Sequence, residues 1–242
     1  MIPSNIAGGI LFEDNHLLVF NKQPSQIVQG DKTGDQPLSE SLKDFIKMRD
    51  HKPGNVFLGV VHRLDRPVSG VVIFAKTSKA LTRLNNMLKS GEIHKTYWAV
   101  VKNKPPSDNG QLVHYLQRNE QKNKSFAFDN PADSSQRAEL TYRIAATSND
   151  YYLLEIQLLT GRHHQIRSQL AKIGCPVKGD LKYGFSRSNP DGSIHLHSRK
   201  IELIHPVSKE KIEITADPPD DTLWNHFLRI FQSNMQNKDN QQ

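Results

Sequence analysis

Residues 60 to 76, VVHRLDRPVSGVVIFAK, set a His-Arg-Leu-Asp-Arg cluster between two apolar, β-branched runs, VFLGVV (56 to 61) and GVVIFAK (70 to 76). Runs of that composition read as core strands. Asp65 is therefore expected at the mouth of a sheet, with Ser69-Gly70 turning the chain back into the second strand. An isolated aspartate in such a place ordinarily caps a turn and pairs with a neighbouring cation, here Arg63 or Arg66. A carboxylate held between core strands is also partly desolvated, which raises its pKa unless a cation keeps it ionised for nucleophilic or base chemistry. An arginine from elsewhere in the chain is the natural candidate.

On either side of this stretch, strands alternate with short helices. ILFED (10 to 14) and HLLVFNK (16 to 22) read as strand, turn, strand about Asp14-Asn15. Pro37 opens LSESLKDFIKM, where Leu38, Leu42, Phe45 and Ile46 recur at helical spacing. Ser78 is placed to cap KALTRLNNMLKS, and Gly91 to end it. KTYWAVV (95 to 101) returns to strand, and residues 117 to 136 are polar enough for a hairpin or an exposed loop. AELTYRIAAT and YYLLEIQLLT pair across Asn149-Asp150. GRHHQIRSQLAKIG (161 to 174) carries Ile166, Leu170 and Ile173 on one helical face, and IHLHSRKIELIH and EKIEITA are further strands. The last eleven residues, QSNMQNKDNQQ, are expected to fray. Strands outnumber helices and short turns join neighbours, which predicts an α+β fold with a mixed, largely antiparallel sheet flanked by helices and loops.

The 242 residues suffice for one large domain or two small ones, and 36% hydrophobic content suffices for a core. A formal charge of +7 and a pI near 9.4 favour a polyanionic partner, nucleic acid foremost. One cysteine, Cys175, excludes an internal disulfide framework and suits a reducing compartment. The start MIPSNIAGGILFED lacks the features of a signal peptide, and no run of eighteen apolar residues occurs, so a cytoplasmic protein without a membrane span is expected.

Two further constellations bear on chemistry. Residues 161 to 184, GRHHQIRSQLAKIGCPVKGDLKYG, bring Arg162, His163, His164, Gln165, Arg167, Lys172 and Lys178 onto a helix and the loop beyond it. A basic helix start suits phosphate, although a solvated face is the plainer reading. Arg167, adjacent to the apolar Ile166, is placed to edge into a cleft. In HKTYWAVV, alternation sends Tyr97 and Trp98 to opposite faces. Either ring can be plain core, or an aromatic beside an acid can stack on a base. His163-His164 and His195/His197 raise a metal reading, but no HExxH or paired cysteine accompanies them. No GxGxxG or phosphate loop occurs either, so neither metal nor cofactor is expected.

Together these blocks resemble the RluA-type pseudouridine synthases. HRLDRPVSG (62 to 70) is similar to the family's HRLD motif, KTYWAVV to its K-x-Y-x-A-x-V strand, and GRHHQIR…GCPVKGDLKYG to its GR-x-HQIR…GD-x-x-YG motif. The opening ILFEDNHLLVFNKQPSQIVQGD and the late IHLHSRKIELIHP also resemble the family, in its order, over most of residues 9 to 219. The resemblance implies a pseudouridine synthase fold with a central active-site cleft, a single catalytic domain over 1 to 235 and a polar tail over 236 to 242. It implies isomerisation of uridine in ribosomal or transfer RNA by base flipping, without metal or cofactor, by a monomer. Asp65 matches the essential aspartate, Tyr97 the active-site tyrosine, and Arg167 the arginine that pairs with the catalytic carboxylate. Arg63 matches a residue that holds the opened RNA, and Arg66, Arg162, His164, Gln165 and Lys178 are expected to contact RNA as well. Val68, His163, Gln169 and Ser198 depart from the family pattern and bear on substrate choice. The short N-terminus leaves no room for the small RNA-binding domain of many relatives, so recognition is expected from the catalytic domain itself. A non-catalytic RNA-binding protein would share the charge, but gives no reason for Asp65, Tyr97 and Arg167 to occur together. A metal-dependent hydrolase would need the histidines as ligands.

Overall fold

A computed structural model of the chain describes residues 6–30 and 34–239. The strands are β1 (Ile10–Glu13), β2 (Leu17–Lys22), β3 (Gly59–Val60), β4 (Ser69–Ala75), β5 (His94–Val101), β6 (Asn109–Asn119), β7 (Lys124–Phe128), β8 (Gln136–Thr147), β9 (Tyr152–Leu158), β10 (Leu196–Ile204) and β11 (Lys211–Thr215). The helices are α1 (Leu38–Arg49), α2 (Ser78–Ser90), α3 (Gln165–Lys172) and α4 (Thr222–Asp239). The chain forms two compact units, Met1–Lys95 with Ser198–Asp217, and Thr96–His197 with Pro218–Gln242.

In the first unit the strand order is β1-β2-β4-β10, with β3 beside β4 and β11 beside β10. The β1–β2, β2–β4, β3–β4 and β10–β11 ladders are antiparallel. All seven residues of β4, SGVVIFA, are buried. A strand covered on both faces reads as an unbroken apolar run, not an alternating one. Val71, Ile73 and Ala75 pack with Leu17, Val19, Leu84, Ile201 and Leu203 in one core cluster. Each fully buried aliphatic side chain contributes about 1.5–3 kcal/mol. Helix α2 closes this core with Ala80 and Leu84. Its cap is Thr77, one residue before the expected Ser78: the Thr77 hydroxyl accepts from Ala80 N–H at 3.1 Å. Gly91 ends the helix at φ 77°, as its sequence position predicts.

The second unit orders its strands β5-β9-β8-β6-β7, again by antiparallel ladders. Trp98 and Val100 of β5, Ala146 and Leu153 form its core with Trp224 and Phe227 of α4. Helix α4 is absent from the elements that periodicity singled out. It also carries the polar residues 236 to 239, expected as a tail, while residues 240–242 lie outside the described residues. The 117 to 136 stretch forms a hairpin, β6 and β7 meeting at Asn119↔Lys124, and β6 begins earlier, at Asn109. The architecture is α+β, as expected. Among the described residues no helix is long and apolar enough to cross a membrane.

Candidate active site

The HRLD segment lies in the first unit as an irregular link between β3 and β4. The turn falls on Asp65-Arg66-Pro67-Val68, closed by Val68 N–H donating to Asp65 C=O at 3.0 Å. Ser69 and Gly70, expected as the turn, are instead the first residues of β4. Gly70 is required there: at φ 113° an added Cβ would meet the Ser198 carbonyl oxygen at 2.3 Å. Proline presets the turn, leaving Asp65 half-buried and Arg63 exposed. Arg66 pairs with Asp35 at 2.6 Å. His62 accepts a hydrogen bond at Nε2 from Ile73 N–H (3.2 Å). Burial first, then Lys95, push its pKa down to about 3, so it is a neutral strut for the loop.

Beneath this turn lies a residue the sequence reading passed over. Lys22, at the end of β2, is fully buried. Its ammonium donates to Val68 C=O at 2.6 Å, Gln23 C=O at 3.0 Å and Arg66 C=O at 3.2 Å. Three donors meet three carbonyls, so the turn is clamped from below. Burial lowers the Lys22 pKa to about 7, while the Asp65 charge draws it upward and Arg66 opposes. The carboxylate and this ammonium are therefore electrostatically coupled within one unit. The available signal was a lysine in phase with Leu18 and Phe20 on a strand whose first four residues, LLVF, are all apolar.

The second unit holds the other motif. GRHH is not helical: α3 starts at Gln165, and His164 precedes it at φ 53°. Gln165 staples this entry, its Oε1 accepting from Arg162 N–H (3.0 Å) and the Thr160 hydroxyl (2.8 Å) and its Nε2 donating to Glu139 C=O (3.0 Å). Its amide is thus bound within the fold. Arg162 stays exposed, its Nε donating to Arg137 C=O at 3.2 Å. Arg167 is 4% exposed and makes a bidentate pair with Asp180, Nε–Oδ2 2.7 Å and Nη2–Oδ1 2.9 Å. Its guanidinium also lies 5.0 Å from the Tyr183 ring centre. The Tyr183 hydroxyl accepts from Ser125 N–H at 2.8 Å and shares a hydrogen bond with His164 Nδ1 at 3.0 Å. His163 stacks on His164, ring centres 3.8 Å apart, and its Nδ1 reaches the Ser125 hydroxyl at 2.8 Å. GDLKY, in the loop beyond α3, therefore supplies the acid and the ring that orient Arg167 and His164.

Tyr97 is 6% exposed, opposite Ile156, and Trp98 turns to the other face, where it meets Phe231 edge-on. Lys178 donates to Asn189 Oδ1 at 2.7 Å, and burial lowers its pKa against the pull of Asp221 and Asp191. Asn189 reaches His195 Nδ1 (3.0 Å), whose Nε2 reaches Asp221 (3.0 Å). Burial and Lys178 push the His195 pKa down to about 4. Asp221 also accepts from Leu223 and Trp224 N–H, so this chain of contacts seats the start of α4. His197 packs on Trp224.

Residues 16–172 match the family model described as RNA pseudouridylate synthase. The chain belongs to that family. Among its curated relatives, the ribosomal large subunit pseudouridine synthase D of Xanthomonas campestris pv. campestris is 32% identical over 236 residues, 90% of this chain and 68% of that protein. The tRNA pseudouridine synthase C of Pectobacterium carotovorum subsp. carotovorum is 30% identical over 225 residues, 86% of this chain and 58% of that one. In fold the chain is similar to human RNA pseudouridylate synthase domain containing 4, with a TM-score of 0.75 and 22% identity over 94% of both chains. The family resemblance read from the sequence is thereby confirmed.

Proposed function

We propose that this chain isomerises specific uridines of ribosomal or transfer RNA to pseudouridine, with Asp65 as the catalytic carboxylate. Its family membership makes it an RNA pseudouridine synthase. The observation that supports Asp65 as the catalytic carboxylate is its seat, on a turn whose carbonyls bind the buried ammonium of Lys22, itself coupled to the Asp65 charge.

The reaction breaks the N1–C1′ bond, turns the uracil and forms C5–C1′; the C5 proton leaves to solvent and N1 gains one. Atoms and electrons balance without a co-reactant. The target nucleotide leaves its stack, which costs a few kcal/mol that contacts to the rest of the RNA must offset. Asp65 acts at the ribose, as nucleophile or as base. Tyr97 stacks on the uracil and serves removal of the C5 proton. Arg167, by the family resemblance, is the counter-cation of the carboxylate, its guanidinium held in orientation by Asp180 and Tyr183. Arg63, Arg66, Arg162, His164 and Lys178 contact RNA, and Gln165 serves through the loop it staples. The enzyme acts as a cytoplasmic monomer without cofactor, residues 1 to 235 serving as its catalytic domain.

The test is tritium release from bulk RNA labelled at C5 of uridine and prepared from cells lacking this protein. Wild type releases tritium and Asp65→Asn loses at least a thousandfold in rate, about 4 kcal/mol. Equal release by the two would remove Asp65 from the reaction; release by neither, with RNA still bound, would make the chain a binding protein.

A further inference from the structure

Strand β7 ends the strand order of the second unit, and its two faces differ sharply. Ser125 is 2% exposed, whereas Phe126 and Phe128 are 36% and 38% exposed. The register places Gln117 opposite Phe126 and Tyr115 opposite Phe128. With Val113, also exposed, these residues share one open face of the β6–β7 hairpin. The Lys124 ammonium sits at the margin of this face, 5.6 Å from the Phe126 ring centre and 4.9 Å from that of Tyr183. Tyr183 in turn bonds His164 and lies against Arg167. A continuous run of aromatic and cationic groups thus leads from the GR-x-HQIR motif to the open hairpin face.

We propose that this face is a stacking platform for unpaired bases of the RNA substrate. The inference rests on the pseudouridine synthase reading above. Solvent-facing rings on adjacent strands, with a cation at their margin, suit bases, because every base has a π-face and its phosphate needs a counter-charge. The turn at the end of the hairpin supplies that charge through Arg118, Lys122 and Lys124 against the single acid Glu120, and Lys182 is tied to the same turn by donating to Asn123 C=O at 3.0 Å. Asp129, which follows β7, is taken up by Lys172 at 2.8 Å. A second copy of the chain is a poorer occupant. The outward N–H of Ser125 already donates to Tyr183, which interrupts strand addition along this edge, and self-pairing would bring like charges together.

Steady-state tritium release on the same RNA tests the platform. Phe126→Ala with Phe128→Ala raises KM on the order of tenfold, with kcat within about twofold of wild type. Tyrosine at both positions restores KM and leucine does not, since leucine keeps apolar bulk and lacks the π-face. F126W adds a direct readout, because Trp98 and Trp224 are 1% and 3% exposed: a short oligouridylate quenches the added emission in proportion to binding. Unchanged KM in the alanine pair, or leucine performing as well as phenylalanine, overturns the platform while wild-type activity stands. F126W emission that follows protein concentration instead of RNA overturns it in favour of self-association. No tritium release by wild type would strike the underlying reading, not the platform alone, and the oligouridylate titration would still decide whether the face binds RNA.

Discussion

Replacing Lys22 by methionine keeps most of the side-chain volume and removes three hydrogen bonds to the carbonyls of Gln23, Arg66 and Val68. Relief from a buried charge offsets only part of that loss, so Lys22→Met is expected to lower the unfolding free energy by about 3 kcal/mol, measured by urea titration. A variant as stable as wild type would mean that the ammonium does not hold the turn. Asp180 makes the matching case in the second unit. Asp180→Asn preserves shape but leaves the buried Arg167 guanidinium without its carboxylate. A loss of about 3–5 kcal/mol is expected, together with reduced tritium release. Retained stability and activity would show that Arg167 is oriented without Asp180. Neither partnership was legible beforehand. By composition an arginine is the natural partner of Asp65 and Lys22 is not, because a lysine ending an apolar strand ordinarily snorkels to solvent. Only the chain folded over it shows that this one cannot.

Among the elements, β4 shows best how local pattern and packing agree. Its uninterrupted V-V-I-F-A run implied burial on both faces, and all seven of its residues are buried. Its first turn was misplaced, since Ser-Gly is a turn signal by composition whereas Gly70 is used for close approach to Ser198. Gly70→Ala tests this. The added Cβ would meet backbone, which cannot swing aside as a side chain can, so a loss of more than about 4 kcal/mol is expected, read as absence of a cooperative thermal transition. A stable, active alanine variant would show that the strands separate easily. Helices α1 and α2 were legible because their apolar residues keep one stripe, Leu38, Leu42 and Ile46 in the first, Ala80 and Leu84 in the second. Strand β6 was hidden by the mixed composition of its outer row, where Gln111, Gln117 and Asn119 stand with Val113 and Tyr115. Helix α4 escaped notice although Trp224 and Phe227 anchor it to Trp98 and Val100, because its last turns are polar.

Over the whole molecule, buried cations and histidines set a definite pH dependence. Burial lowers His62 to about 3 and His195 to about 4, and moves His114 in the same direction. The unfolded chain therefore takes up protons below about 6.5 that the folded chain refuses, and stability falls with pH through that window. His62 and His195 alone make the protein about 3–4 kcal/mol less stable at pH 5 than at pH 7. Lys22, lowered to about 7, acts on the alkaline side: above that value the folded chain sheds a proton that the unfolded one keeps to about 10.5. A gain of about 2 kcal/mol from pH 7 to pH 9 follows. Urea titrations across pH 5 to 9 check both, and a flat profile would mean that these groups reach water in the folded state. The order of residues was enough for the family, the α+β class and the motifs carrying Asp65, Tyr97 and Arg167, because strand and helix periods and short motifs are local in the chain. The clamp of Lys22 on Arg66 and Val68, 44 and 46 residues away, and the open face of the β6–β7 hairpin became visible only in the folded chain. Periodicity names the face on which a side chain lies, whereas its partner and its exposure depend on which distant segment packs against that face.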